Sequence, residues 1–193
     1  DIVFGDWSSD VCSSDLMSTP RPPAPAKLVI GLILQERPLV HPVTELLIDR
    51  FGPLDMVSAW MPFDFTRYYE EEMGAPLFRR VLTFKELIPQ ERLPEIKIAT
   101  NGIEAGFAEG GKRRVNIDPG YLLLERFVLA SGKNFTHRIY LGRGIYADLT
   151  LIFTRGRFEA LPWTYPDYAS PGMTAHLHQI RQRYTLDLKA TEP

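Results

Sequence analysis

Polar side chains occur at every second residue in three short segments of the second half of the chain, and their types suit ligand binding. They are Arg114, Asn116 and Asp118, then Arg138 and Tyr140, then Tyr146, Asp148 and Thr150. Because successive side chains of a strand point to opposite faces, each set lies on one face of its strand. If the three strands are neighbours, the sets form one polar face. Guanidinium groups bind anions with two parallel hydrogen bonds, so the pattern predicts a site for an anionic small molecule or a nucleotide.

The roles within this predicted site follow from charge. Arg114 and Arg138 are expected to contact the anion, and Asp118 and Asp148 to hold the two arginines in place. Other candidates lie close in the sequence or in the segment 62–74, which is rich in aromatic and charged residues and is expected to close over the site. These other candidates are Asp64, Tyr68, Tyr121, Lys133 and His137. An ordinary solvated sheet face with cross-strand ion pairs is the alternative interpretation.

Two other functions remain open on the sequence alone. Asp118 and Asp148, with Asp64 or Glu72, could hold Mg²⁺ in a hydrolase or phosphoryl-transfer enzyme, since Mg²⁺ prefers oxygen ligands. Residues 163–168, rich in aromatic side chains and proline, could instead dock a protein partner, with no small ligand. The sequence contains no P-loop, dinucleotide-binding, nucleophile-elbow or zinc-helix motif. Whether the protein is an enzyme therefore stays open, the cofactor is unknown, and Mg²⁺ is only the weaker alternative.

The segments that must position these residues mix strand and helix patterns. Residues 27–34 are apolar and β-branched, which predicts a buried strand, and residues 44–51 have helical spacing that ends at Gly52. Residues 138–153 predict a hairpin with a Gly-Arg-Gly turn, and residues 174–184 a last helix. We therefore expect an α+β fold with a mixed or mainly antiparallel sheet, C-terminal β-hairpins and flanking helices. Asn101 and Glu104 have capping-box spacing, which predicts a helix over about 102–108.

Composition and charge describe one ordinary domain. The chain has 193 residues, 22 basic and 24 acidic side chains, and a single cysteine. Residues 1–16 have the character of a translated sequencing adapter, residues 17–26 of a disordered lead-in, and residues 27–193 of a single α+β domain. Without the four aspartates of residues 1–16, the formal charge changes from −2 to +2, and Cys12 is also removed.

These numbers limit the partners that we expect. A nearly neutral chain gives no strong nucleic-acid signal, and no apolar run reaches the roughly 18 residues that a membrane helix needs. No export signal is recognisable, so we expect a cytoplasmic protein. The expected partner is thus a small anionic ligand, and the sequence identifies no protein partner.

Several longer motifs carry a family resemblance. They lie at residues 27–34, 61–74, 116–121, 133–141 and 163–168. In these motifs the chain resembles a bacterial family known as domain of unknown function 4416. The resemblance implies a cytoplasmic single-domain protein and supplies no catalytic residues. Some members carry a GTP-binding label, for which this sequence has no P-loop or base-recognition motif.

Overall fold

A single nine-stranded sheet forms the centre of the fold in the computed structural model, which describes residues 19–64 and 70–191. The strands are β1 (Ala26–Leu34), β2 (Leu54–Val57), β3 (Met61–Pro62), β4 (Phe78–Ile88), β5 (Val115–Leu122), β6 (Arg126–Ser131), β7 (Arg138–Gly142), β8 (Ile145–Thr154) and β9 (Arg157–Ala160). The main strand order is β2-β4-β1-β5-β6-β8-β7, while β3 pairs with β4 and β9 with β8. Every pairing between described strands is antiparallel.

Helices cover both faces of this sheet, and its antiparallel pairing confirms the predicted α+β class. They are α1 (Val40–Phe51), α2 (Glu70–Met73), α3 (Leu93–Gly106) and α4 (Pro171–Thr191), with 3₁₀ turns at Arg37–Leu39 and Gln90–Arg92. Helix α1 packs on one face through the edge-to-face contact of Phe51 with Phe84. Helix α4 packs on the opposite face, where Asp187 pairs with the fully buried Lys27. No helix among the described residues is long and apolar enough to cross a membrane.

Strand β1 lies in the middle of the sheet, and all nine of its residues are buried. Its apolar, β-branched sequence fits this position, because a strand covered on both faces needs no polar alternation. Strand β4 pairs with one edge of β1 and β5 with the other. The predicted strand at residues 27–34 is therefore the core strand to which the others are added.

The strand register places the candidate polar residues on one face of the sheet. Residues directly opposite each other in an antiparallel pair point to the same face. Ile33 pairs with both Arg79 and Asn116, so these two polar side chains share a face. Asp118 lies on it two residues further along β5. Gly120, Leu129, Asp148 and Arg138 continue this same face through cross-strand pairs. We call the side that carries Arg79, Asn116, Asp118, Arg138 and Asp148 the polar face.

The three predicted strands are not neighbours, however. Strand β6 lies between β5 and β8, so Asn116 and Asp118 are two strands, or about 10 Å, from β8. Strands β5 and β6 are paired only from Gly120 to Leu122. The polar face therefore carries separate groups of residues rather than one continuous stripe.

Helix α3 covers the edge of β5 that β6 leaves unpaired. Lys97 Nζ donates to the Ile117 carbonyl (2.9 Å), and the Ile117 N–H donates to Glu104 Oε1 (2.6 Å). Two side chains thus satisfy the backbone groups that a neighbouring strand would otherwise bond. Pro119 has its nitrogen on this same edge, where it has no N–H to satisfy. The predicted helix start at Asn101 is wrong, because Asn101 lies inside α3 and Glu104 bonds to the sheet instead.

Candidate functional site

The first group on the polar face joins β7, β8 and the two neighbouring loops through Arg138. Its Nε donates to Asp148 Oδ2 (2.8 Å), its Nη1 to the Lys133 carbonyl (3.0 Å), and its Nη2 to Tyr165 Oη (2.9 Å). Burial lowers the pKa of Arg138, but the hydrogen bond to Asp148 and the neighbouring groups outweigh this and raise the pKa above its ordinary value. Asp148 therefore holds Arg138 as the sequence predicted, but all three guanidinium nitrogens are already engaged by protein groups.

His137 completes this group. Its Nε2 lies 3.3 Å from Asp148 Oδ2, and its ring is stacked on Trp163 with centroids 4.8 Å apart. Trp163 is fixed in turn by a hydrogen bond from its Nε1 to the Leu149 carbonyl (2.7 Å). We call Lys133, His137, Arg138, Asp148, Trp163 and Tyr165 the His137 cluster. Its contacts show how residues 163–168 are fastened to the sheet.

Replacing Arg138 with methionine is expected to destabilise the fold by about 3–5 kcal/mol, because Asp148 would keep its burial and lose its permanent cation. Urea unfolding followed by tryptophan fluorescence measures this change. The matched control is Arg157→Met, since Arg157 is an exposed arginine that also pairs with one carboxylate, Glu159. We expect the control to cost less than about 1 kcal/mol. Equal losses in the two variants would contradict a structural role for Arg138.

The second group lies around Arg113, which follows α3 and precedes β5. Arg113 Nε and Nη2 donate to the two carboxylate oxygens of Glu72 (2.7 and 2.5 Å), and Nη1 donates to Asn116 Oδ1 (3.0 Å). Asn116 Nδ2 donates onward to Asp118 Oδ2 (2.7 Å). The Arg113 hydrogen bond is the main cause that holds the pKa of Glu72 below its ordinary value, and the Lys133 charge adds to it. Lys133 therefore connects this group electrostatically to the His137 cluster.

The third group surrounds Arg79 of β4, a residue that is only 2% exposed. The guanidinium lies over the Tyr168 ring, with its carbon 4.2 Å from the ring centroid, and 5.7 Å from that of Phe63. Its Nη1 forms a buried ion pair with Asp167. A methyl group on Gly31 would lie 3.0 Å from both Arg79 Nη2 and Tyr168 Oη. We call Gly31, Phe63, Arg79, Asp167 and Tyr168 the Arg79 site.

Arg79 has hydrogen-bonding capacity that the described residues leave unused. Its Nε and Nη2 are buried and have no hydrogen-bond partner among the described residues. Buried donors without a partner are rare in native proteins, because each costs about 1–3 kcal/mol. Nε and Nη2 lie on the same side of the guanidinium, the side that binds a carboxylate or a phosphate through two parallel hydrogen bonds. The same side of Arg113 holds the Glu72 carboxylate.

Several predicted site residues lie elsewhere. Arg114 does not pair with Asp118; its partners are Glu36 (3.0 Å) and Glu109 (2.9 Å) at the surface. Tyr121 pairs with Leu28 across the strands and therefore points to the face opposite the polar one.

The remaining predicted residues are peripheral to the three groups or cannot be placed. Tyr140 and Tyr146 share the polar face near the hairpin turn, with ring centroids 5.2 Å apart. Asp64 is exposed in the loop after β3, and Tyr68 lies outside the described residues.

The alternative Mg²⁺ site is not assembled in the described part of the chain, where no three His, Cys, Asp or Glu side chains are grouped to hold a metal ion. Asp148 is engaged by Arg138, and Glu72 by Arg113. Asp118 Oδ1 lies 3.8 Å from Lys97 Nζ, and Asp118 Oδ2 accepts a hydrogen bond from Asn116 Nδ2. Each of these carboxylates thus has a cationic or amide partner in the protein.

The sequence reasoning missed Arg79, and it singled out Asp167 and Tyr168 only as part of the aromatic segment 163–168. Residues 76–84 have the pattern of a strand that contains two adjacent arginines, and period-two alternation alone places Arg79 and Arg80 on opposite faces. One of the two had to enter the polar face. Nothing in the spacing identifies Asp167 as its partner, because the two residues are 88 positions apart.

Comparisons with known proteins give one match. A family model described as a domain of unknown function (DUF4416) matches residues 24–184, which include the His137 cluster, the Arg113 group and the Arg79 site. No curated protein matches the chain, and no solved structure matches it.

Proposed function

Because the chain belongs to the domain of unknown function 4416 family, whose description assigns no activity, we propose from the site itself that the protein binds a small anionic molecule through Arg79. One observation carries the proposal: Arg79 Nε and Nη2 are buried and lack a partner among the described residues. A carboxylate or phosphate group supplies the two acceptor oxygens that these donors need.

The surroundings of Arg79 favour an anion over a neutral ligand. Asp167 neutralises the guanidinium from the Nη1 side, and the bound anion occupies the other side of the planar group. The aromatic rings of Phe63 and Tyr168 flank the guanidinium and lower the local dielectric constant. Charge-assisted hydrogen bonds are stronger in such surroundings than in water.

Gly31 lies beside the Arg79 donors and brings a second polar group close to them. Arg79 Nη2 and Tyr168 Oη lie at equal distances from the position of a methyl group on Gly31, so the two polar atoms converge above the glycine. Any larger residue at position 31 would crowd both of them. Glycine at this position therefore allows the Arg79 guanidinium and the Tyr168 hydroxyl to lie close to β1.

The aromatic segment 163–168 supports anion binding better than partner docking. Tyr168 is buried against Arg79, and Trp163 is held by its stacking on His137 and its bond to the sheet. The segment thus supplies one wall of the Arg79 site. We consider nucleotides a subset of the proposed ligands, with their phosphate groups at Arg79.

Thermal unfolding with a panel of anions tests the proposal. The panel contains acetate, succinate, inorganic phosphate, a sugar phosphate and a nucleoside monophosphate. A ligand at about 100 times its Kd adds roughly 2.7 kcal/mol, which raises Tm by about 5–10 °C in a domain of this size. We expect at least one anion to stabilise the wild type and Arg79→Met to abolish that shift.

Arg80→Met is the matched control, because Arg80 is the next residue of β4 and points to the opposite face, where it stacks on Trp60. The Arg80→Met variant should show the same anion-induced rise in Tm as the wild type. Gly31→Ala serves as a second variant. It retains the Arg79–Asp167 pair and crowds the Arg79 site, so it should reduce the Tm shift that the same anion causes. A wild type that responds to no anion, or an Arg79→Met variant that responds normally, would refute the proposal.

A further inference from the structure

The charge of Arg79 is already balanced inside the protein. Arg79 and Asp167 form a buried ion pair, and the two residues are 2% and 7% exposed. The residues directly opposite Arg79 in the neighbouring strands are Ile33 of β1 and Met61 of β3, and both are apolar. None of these described neighbours supplies a second positive charge. An anion that binds Nε and Nη2 therefore brings a net negative charge into a buried place.

A second carboxylate lies next to the same two donors. Asp118 of β5 is directly opposite Gly31 on the polar face, and directly opposite residues have Cβ atoms about 4.5–5.5 Å apart. The position of a methyl group on Gly31 is 3.0 Å from Arg79 Nη2 and 3.7 Å from the Asp118 carbonyl oxygen. The cation nearest Asp118 is Lys97, whose Nζ is 3.8 Å from Asp118 Oδ1 and 3.9 Å from Glu104 Oε1. Because two carboxylates already share this ammonium group, it does not balance a further anion.

We propose, on the basis of the proposed function, that the anionic group bound by Arg79 carries a single charge and is a carboxylate. The doubly charged phosphate of a sugar phosphate or a nucleotide is then a poor ligand. Burying a charge is costly unless a partner balances it. The two hydrogen bonds from Arg79 stabilise one negative charge. A phosphate monoester has a charge of about −1.5 to −2 at pH 7, and its second charge would face Asp118 without a cation.

Two probes of similar shape measure the effect of one charge. At about pH 8, methyl sulfate is singly charged and methyl phosphate is doubly charged. We titrate the wild type with each of them and with propionate, and obtain each Kd from the rise in Tm with ligand concentration. Methyl sulfate and propionate should bind at least about tenfold more tightly than methyl phosphate.

The same probes at lower pH provide an internal control. At about pH 5, below the second pKa of about 6, methyl phosphate is also singly charged. Its Kd should then approach that of methyl sulfate. Because methyl sulfate stays singly charged at both pH values, any change in its own Kd reports titration of the protein.

Asp118→Asn tests the contribution of the second carboxylate. Asparagine keeps an acceptor oxygen for Asn116 Nδ2 and removes one negative charge from beside the donors. Methyl phosphate should bind this variant about threefold more tightly than it binds the wild type, and propionate should gain less. Asp49→Asn is the matched control, because Asp49 is an exposed residue of α1 on the opposite face of the sheet. It should leave each Kd unchanged.

Failure of this inference is distinguishable from failure of the proposed function. If methyl phosphate binds as tightly as methyl sulfate at about pH 8, and Arg79→Met abolishes both, Arg79 binds anions without selecting a single charge. That result overturns the inference alone, and so does an Asp118→Asn variant that behaves like Asp49→Asn. If the wild type binds none of the three probes, or if Arg79→Met binds them as the wild type does, the inference and the anion site at Arg79 are both overturned.

Discussion

Replacing Glu104 with alanine is expected to lower the free energy of unfolding by about 3–5 kcal/mol at neutral pH. The carboxylate accepts the Ile117 N–H at 2.6 Å, and its Oε1 lies 3.9 Å from the Lys97 ammonium. Alanine would leave that N–H buried without an acceptor and would remove one anion from beside a buried cation. Urea unfolding followed by circular dichroism at 222 nm measures the loss.

Glu95 provides the matched control on the same helix. Its side chain is about half exposed and forms long ion pairs with Arg50 (3.8 Å) and Arg92 (3.7 Å). Glu95→Ala should therefore cost less than about 1 kcal/mol. If Glu104→Ala is as mild as this control, the edge of β5 does not depend on the Glu104 side chain.

The pH dependence of Glu104 has a definite sign. Burial raises the pKa of its carboxyl above the ordinary value of 4.5, although the Lys97 charge and the Ile117 hydrogen bond oppose the shift. The folded chain thus binds this proton more tightly than the unfolded chain does. The resulting stability is complete below the unfolded pKa and is lost as the pH rises through the folded pKa. Glutamine does not titrate, so Glu104→Gln is the reference. As the pH rises from the unfolded to the folded pKa of Glu104, the free energy of unfolding of the wild type should fall relative to that of Glu104→Gln.

Gly120→Ala should be the most damaging single-methyl addition in the sheet, with an expected cost of about 3 kcal/mol. The new Cβ would lie 2.3 Å from the Val128 carbonyl oxygen and 3.0 Å from Leu129 Cδ2. The nearer atom is backbone of the neighbouring strand and cannot rotate away. Because Gly120 opposite Leu129 begins the β5–β6 pairing, relief requires these strands to separate. Thermal and urea unfolding measure the loss.

A glycine-to-alanine substitution in α3 is the control, and its expected effect on the free energy of unfolding has the opposite sign. Gly102 has no atom within 4 Å of its would-be Cβ, and it lies in a helix interior. Gly102→Ala should therefore stabilise the protein by about 0.5–1 kcal/mol. A Gly120→Ala variant that is also neutral or stabilised would show that β5 and β6 tolerate a wider spacing.

The sequence was sufficient for the fold class because its strongest patterns are local. The apolar segment 27–34 and the hairpin around Gly142 and Gly144 predict their elements from spacing and turn chemistry alone. The insertion of β6 between β5 and β8 was not predictable in this way. Residues 127–130 are buried, so the strand has no polar alternation that would distinguish it from a helix.

The candidate site was predictable in part for a related reason. Alternation placed Asp148 and Arg138 on one face, and the strand register pairs them directly. Arg79 was not identifiable, because its importance comes from a partner 88 residues away and from two donors that have no hydrogen-bond partner in the described part of the chain. Only the three-dimensional arrangement brings Asp167 to Arg79 and leaves Nε and Nη2 without a hydrogen-bond partner among the described residues.

The short pairing between β5 and β6, which we call the β5–β6 seam, is the weakest connection between the two halves of the sheet. Only three residue pairs join the two strands, whereas β5 and β1 are joined by eight. Local opening should cost least at this seam, so each half of the sheet can behave as its own cooperative unit in amide hydrogen exchange. Tyr168 spans the division, with its ring 5.5 Å from that of Phe127 on β6 and 4.2 Å from the Arg79 guanidinium carbon on β4. An anion bound beside Tyr168 would thus couple the two halves of the sheet, so that their amides exchange in a single cooperative opening.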